Sequence, residues 1–213
     1  FMVTSVLLGL RAVGKRDVVM VSSPTFFAIG SAWLIAKVKR ARFVVEVRDL
    51  WPAVFVELGV LTNKHVIRVL ERLELAAYRA ADEVVVVTEG FRDHITARGI
   101  PSSKVHTIRN GVDLGKFTPD HQPPAGTRER LGAADGDLLV LYIGAHGISQ
   151  GLTSIVETAA LMTDRPVHFA LVGEGADKDK VLARVRELSS GNVTNLPGVP
   201  RDEVADLLAA ADV

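Results

Sequence analysis

The stretch Leu138–Leu152, LLVLYIGAHGISQGL, and its counterpart Val167–Asp177, VHFALVGEGAD, decide the fold. The first opens with six apolar residues and the second with an apolar run broken only by His168, neither alternating with polar residues, the pattern of a strand buried on both faces. Each then breaks at glycine and continues into a segment with helical spacing, about Leu152 to Met162 in one case and Asp177 to Leu188 in the other. Strand, glycine turn and helix in immediate succession form the working edge of a parallel sheet. There, backbone N–H groups and helix N-termini favour anions beyond the carboxyl ends of the strands. Three glycines in Gly144–Gly151 permit close backbone approach and positive φ. Taken alone, each loop is more often a tight turn. Two of them on one sheet edge point to a phosphate or diphosphate. Neither follows G-x-G-x-x-G or the Walker A spacing, which disfavours a dinucleotide oxidoreductase or a P-loop NTPase.

The same alternation runs through the earlier half. Strands are predicted over Asp17–Ser22, Phe43–Val47, Glu83–Thr88 and Lys104–Ile108. Helices are predicted from Pro24-Thr25 to about Arg40, from about Asn63 to Ala81, and from a Thr88 cap to about Arg98, where Gly99-Ile100-Pro101 ends it. On the second of these, Val66, Val69, Leu70, Leu73, Ala76 and Ala77 recur three and four apart, with Arg68, Glu71, Arg72 and Glu74 between them, an amphipathic pattern. Gly115–Thr127 carries Pro119, Pro123 and Pro124 and little that is apolar, the composition of a tether. The expected organisation is a β/α unit over 1–114, a linker over 115–127 and a second β/α unit over 128–213. The second unit closes with a short strand near Val193–Leu196, a helix over about Arg201–Ala211, and the start of a further strand at Asp212-Val213. The fold class is α/β, with two Rossmann-like parallel sheets, both expected to be incomplete, and a first residue that is Phe instead of Met.

Composition narrows the chemistry. Among 213 residues, 48% are hydrophobic, which rules out global disorder. There is no cysteine, so a disulfide scaffold, a Cys-ligated zinc site and a thiol nucleophile are excluded. Twenty-five basic residues balance twenty-five acidic ones, which argues against a broad nucleic-acid-binding surface. The longest apolar stretch, Phe26–Val38, falls short of the roughly 20 residues a membrane span needs. Basic Arg11, Lys15 and Arg16 follow the apolar opening instead of preceding it, unlike a signal peptide. A soluble, cytoplasmic protein is the expectation.

Three other places hold candidate chemistry. Arg48-Asp49-Leu50-Trp51-Pro52 follows a strand end, where Asp49 flanked by Arg48 and Trp51 either orients a polar ligand or forms an Arg–Asp pair with Trp51 as core filler. Arg109-Asn110-Gly111 closes another strand: Asn-Gly suits a left-handed turn, and Arg109 is placed to reach an anion. His146 alone among six histidines sits in a glycine loop. No histidine pair has metal-site spacing, and no Ser-His-Asp arrangement is evident.

In chain order, DVVMVSSPT (17–25), FVVEVRDLWP (43–52), the run 81–119 with its ending I-x-N-G-V-D…F-x-P, LYIGAHGISQGL (141–152), FALVGEGADKDKV (169–181) and NVTNLPGVPRDEVADLLAAADV (192–213) resemble the GT-B glycosyltransferases, specifically the retaining family-4 type. The RDLWP and GAHGISQG forms are most similar to a subgroup that builds bacterial surface polysaccharides with amino-deoxy sugars of the N-acetylfucosamine type. The resemblance implies two Rossmann-like domains facing a cleft and a nucleotide-diphosphate sugar as donor, a UDP-sugar favoured. It also implies a saccharide or lipid-linked acceptor with peripheral membrane contact, and transfer with retained configuration without a cofactor or an obligatory metal. Gly144, Gly147 and Gly151 map to the diphosphate region, with His146 and Gln150 in the same loop. Gly173, Glu174 and Gly175 map to the second donor loop, the backbone at Val199 and Pro200 to the base contact, Arg109 to the donor, and Arg48 and Asp49 to the reacting centre.

Two departures bear on mechanism. The family's cationic pair falls on Ala145 and Gln150, neither of which is basic, so the diphosphate must rely on backbone dipoles, Arg109, His146 or residues outside this stretch. Arg48 stands where many relatives have His. The family's N-terminal glycine loop and paired-glutamate motif would lie outside 1–213, so this stretch alone is expected to be inactive. A GT-B nucleotide-sugar 2-epimerase and a catalytically silent sugar-nucleotide-binding module remain alternatives.

Overall fold

The structure, a computed structural model, describes residues 2–12, 14–23 and 26–213. They form two compact units, 1–111 and 112–213. The expected helix opening at Pro24-Thr25 lies outside the described residues.

In the first unit, α1 (Met2–Ala12) precedes β1 (Val18–Ser22), α2 (Phe26–Lys39), β2 (Arg42–Val47), α3 (Ala53–Glu57), α4 (Lys64–Ala80), β3 (Glu83–Val86), α5 (Glu89–Ala97) and β4 (Val105–Thr107). The strands form one parallel sheet in the order β1-β2-β3-β4, with Val45 beside Val84 and Val84 beside Val105. Phe43, Val45, Val47, Val84, Val86 and Val105 bury one face of it against Ile29, Ala36 and Ile95. Edge strand β1 is less covered than the sequence suggests, since Val18 and Met20 are exposed. Helix α1 packs on α2 at Gly9, where a Cβ would sit 2.8 Å from Ile35 Cδ1, and the Lys39 ammonium donates to the Leu10 carbonyl at 2.9 Å.

Helix α4 forms where expected, with the Asn63 side chain accepting from the His65 and Val66 amides. Its orientation differs from the reading of its stripe. Val66, Val69 and Leu73 are exposed, and the fully buried residues are Glu74 and Tyr78. The reason is a polar network: Tyr78 Oη donates to Glu74 at 3.0 Å, and Arg98 Nη1 donates to the same carboxylate at 2.6 Å. A buried carboxylate is tolerated only when its oxygens are satisfied in this way. Burial nonetheless raises the Glu74 pKa above the usual carboxylate range, with Arg98 opposing it.

The second unit runs α6 (Thr127–Arg130), β5 (Leu138–Ile143), α7 (Leu152–Ala160), β6 (Val167–Val172), α8 (Lys178–Leu188), β7 (Val193–Leu196) and α9 (Val204–Ala210). Its parallel sheet has the order β5-β6-β7, with Ala170 paired to Leu141 and Thr194. Central strand β6 is buried at every residue, its one polar side chain, His168, hydrogen-bonded to Thr194 at 2.8 Å. Asp212 N and Val213 N donate to the Leu139 carbonyl, and the Val213 carbonyl accepts from Leu141 N at 2.8 Å. The final residues thus begin a ladder beside β5.

Residues 115–127, read as a tether, lie in the second unit. Lys116 pairs with Asp202 at 2.7 Å, His121 Nε2 lies 2.6 Å from Asp206, and Thr127 is buried with its hydroxyl donating to the Pro124 carbonyl.

Candidate functional site

Three loops meet at the carboxyl edge of β5, β6 and β7, and backbone contacts hold them together. Gly144 N donates to the Val172 carbonyl at 3.0 Å, His146 N to the Glu174 carbonyl at 2.8 Å, and Asp177 N to the His146 carbonyl at 2.9 Å. The loop after β5 is therefore zipped along the loop after β6. A Cβ at Gly173 would overlap the Gly144 carbonyl oxygen, and one at Gly175 would overlap the His146 backbone. These two glycines are required by one loop lying on another, a need that sequence spacing does not reveal. Of the glycines in Gly144–Gly151, only Gly151 adopts positive φ, at 59°, where it leads into α7. Gly144 and Gly147 have ordinary backbone, and Gln150 folds back over Gly147 with Ser149 Oγ donating to its Oε1 at 3.1 Å. From the third loop, Gly198 faces Glu174 and Gly173, since its Cβ would lie 3.7 Å from Glu174 Cγ. The neighbouring Val199 side chain packs against the core.

His146, one of the groups considered for the diphosphate, is enclosed by the loops. Its side chain is fully buried between the loops, 6.0 Å from the Tyr142 ring centroid, and neither ring nitrogen has a hydrogen-bond partner. Burial lowers its pKa below the usual imidazole range and Lys178 adds to this, against weaker raising effects from Glu174 and the Val172 backbone. The buried ring packs between the two loops beside Tyr142.

The cation at this edge is Lys178, which sequence reasoning misses. Its ammonium donates to the Gly173 carbonyl at 2.9 Å, the Glu174 carboxylate at 2.6 Å and, more weakly, the Leu196 carbonyl at 3.4 Å. It bridges the ends of β6 and β7. A signal exists: a lysine as first residue of a helix opposes the helix dipole and needs a local reason. Glu174 is correspondingly acidified, first by the Lys178 hydrogen bond and also by the Gly198 backbone.

The candidates of the first unit have different surroundings. Arg48 lies 3.6 Å from Glu46, so the expected Arg–Asp pair is replaced by a pairing within β2 and its exit. Asp49 is exposed, and its carbonyl accepts from Ser23 Oγ at 3.4 Å and from Trp51 N at 3.1 Å. Trp51 is half-buried, edge-on to Phe55. Arg109 is exposed beyond β4. The left-handed turn expected at Asn110-Gly111 does not form, as neither residue has positive φ. Asp113 builds the turn instead: its side chain accepts from Gly115 N at 2.9 Å and its carbonyl from Phe117 N at 2.9 Å. Of the basic residues Lys37, Lys39, Arg40 and Arg42, Lys39 donates to the Leu10 carbonyl and Arg42 pairs with Glu83 at 3.0 Å. Among the described residues no cluster of three or more His, Asp or Glu side chains could hold a metal, and no helix is long and apolar enough to cross a membrane.

Residues 2–111, just over half of the chain, match the glycosyl transferase 4-like domain. The chain belongs to that family. It is 24% identical over 204 residues to the putative colanic acid biosynthesis glycosyl transferase WcaI of Escherichia coli K12, covering 93% of this chain and 50% of that protein. It is 28% identical over 217 residues to D-inositol 3-phosphate glycosyltransferase 1 of Catenulispora acidiphila, covering 95% and 50% respectively. The chain thus spans about half the length of these curated relatives. Among solved structures it is similar to Anabaena HepE in complex with UDP-glucose, with TM-score 0.71, 18% identity, and coverage of 99% of this chain and 54% of that one. The likeness confirms the α/β fold of the GT-B glycosyltransferases, with two parallel-sheet units in succession.

Proposed function

We propose that this chain belongs to a retaining glycosyltransferase that takes a sugar from a nucleotide-diphosphate donor, a UDP-sugar, and passes it to a saccharide or lipid-linked acceptor in surface polysaccharide assembly. One observation carries the proposal: the loops after β5, β6 and β7 converge at a single sheet edge beside a lysine ammonium. Charge grows on the departing diphosphate during transfer, and fixed dipoles with a cation are what stabilise it. The relative HepE, solved with UDP-glucose, and WcaI, described as acting in colanic acid biosynthesis, support donor and pathway class. On this reading Gly144, Gly147, Gly151, Gly173 and Gly175 shape the donor loops. Gln150 supplies a polar group, Glu174 stands in the second donor loop paired to Lys178, and the Val199 backbone meets the base. Arg48, Asp49 and Arg109 serve from the first unit at the reacting sugar and diphosphate, without a metal or cofactor.

The exposed apolar face of α4, with Val66, Val69 and Leu73 beside exposed Lys64, Arg68 and Arg72, supports an acceptor presented at an anionic lipid surface. The amino-deoxysugar class of donor rests on the RDLWP and GAHGISQG forms. The test is calorimetry of the full-length polypeptide with UDP, GDP and their sugars, then a turnover assay with and without a saccharide acceptor. Binding of a nucleotide sugar with turnover only when acceptor is present is the expected result. Turnover without acceptor replaces the reading with an epimerase, and binding without any turnover replaces it with a silent module.

A further inference from the structure

We infer that the Lys178 ammonium forms the seat for a donor phosphate, and that Glu174 occupies this seat as an internal anion which the donor displaces. The inference rests on the nucleotide-sugar reading above and assigns the charge that Ala145 and Gln150 cannot supply.

Three features lead to it. First, the ammonium is placed by groups that cannot leave: the carbonyls of Gly173 and Leu196 end two adjacent strands and fix Nζ between them. Carbonyls pointing outward at a strand edge repel a diphosphate, so an interposed cation is what makes the edge able to accept one. Second, the third acceptor is of another kind. The Lys178 side chain is 18% exposed while that of Glu174 is 63% exposed, so a largely buried cation is closed by an anion standing in water. An exposed carboxylate gains little from such pairing and exchanges readily for another anion. Third, the carboxylate already shows what the seat recognises. It is held by the Lys178 ammonium and favoured in its charged form by the Gly198 backbone, a combination of point charge and amide that suits a phosphate oxygen equally. Glu174 stands between Gly173 and Gly175, which are fixed by the loop zipper, so its side chain can swing away while the backbone stays in place.

The experiment is calorimetric titration of uridine, UMP and UDP, with guanosine, GMP and GDP in parallel, into the full-length polypeptide and its Glu174→Gln and Lys178→Met variants. Thermal unfolding of each is recorded alongside. Removing the competing charge in Glu174→Gln is expected to tighten UDP or GDP by about three- to tenfold. Removing the ammonium in Lys178→Met is expected to weaken it by at least about tenfold while nucleoside affinity stays unchanged. A purely structural Lys178–Glu174 pair gives another pattern: Glu174→Gln leaves the diphosphate affinity unchanged or weakens it, or Lys178→Met lowers nucleoside and diphosphate affinity alike. Either outcome overturns the inference while leaving the nucleotide-sugar reading intact. If the unaltered polypeptide binds no nucleoside diphosphate, both fall. Glu174→Gln alters an exposed side chain and keeps its volume, so the test does not hang on whether Lys178→Met folds.

Discussion

The two sheets end differently, although both are parallel and both carry the chemistry expected of a carboxyl edge. In the first unit the strands run out into exposed side chains: Arg48 and Asp49 after β2, Arg109 and Asn110 after β4. In the second, the strands run into backbone packed upon backbone, with His146 and Glu174 joined through main-chain hydrogen bonds and glycines where no Cβ fits. One edge presents groups that can be exchanged one at a time. The other is a single frame whose parts are committed to each other. The contrast accords with the proposed function, in which the rigid second edge holds the donor diphosphate.

The most demanding test of this contrast puts the same small change on both edges. Gly175→Ala drives a Cβ into the His146 backbone, which has no side-chain freedom to yield, and is expected to cost about 2–4 kcal/mol. Gly111→Ala meets nothing within 4 Å and has no positive φ, so it is expected to stay within about 0.5 kcal/mol of the unaltered protein. Chemical denaturation followed by circular dichroism measures both, and comparable losses would remove the distinction.

A smaller effect comes from pH. His146 and His168 both have pKa values lowered from 6.5, chiefly by burial. Below that value the unfolded chain binds protons that the folded one refuses. Stability is therefore fully present above about pH 6.5 and falls as the pH drops toward the lowered folded values. Because both groups lie in the second unit, the loss is expected there. Denaturation midpoints between pH 7.5 and 5.5 should fall for the unaltered protein and fall less steeply for His146→Leu. A parallel decline in both would show that His146 is not part of the response.

The least effect on stability is expected at Arg48→Gln, within about 0.5 kcal/mol, because its pairing with Glu46 is long and exposed. If the first edge acts in transfer, the same variant lowers kcat with little change in donor KM. An unaltered kcat would reduce Arg48 to a surface charge.

Much of this architecture is legible in the chain. β5 and β6 lie where their mostly apolar runs place them, and the shorter β7, with Thr194 and Asn195 inside it, also forms where expected. The glycine loops are legible as strand–helix junctions but not as a zipper. Sequence spacing shows where glycine is, not which other backbone presses upon it. Helix α4 shows a similar limit. Its stripe of Val66, Val69 and Leu73 has the period of a buried face, yet Glu74 turns inward because Arg98 and Tyr78, distant and near in sequence, satisfy its carboxylate. Short α3 and α6, of five and four residues, lack enough turns to produce a period at all. Lys178 escapes notice because a lysine opening a helix reads as a solvated charge until the strand-end carbonyls beneath it are seen.

The main-chain zipper between His146 and Glu174 has a further consequence for how such an enzyme diversifies. Since the register of both loops is written in amide and carbonyl groups and not in side chains, positions 145, 150 and 174 can change identity without moving the scaffold that carries them. Under the proposed function, side chains at these positions set which donor sugar is accepted, while the main-chain frame keeps the loops in register.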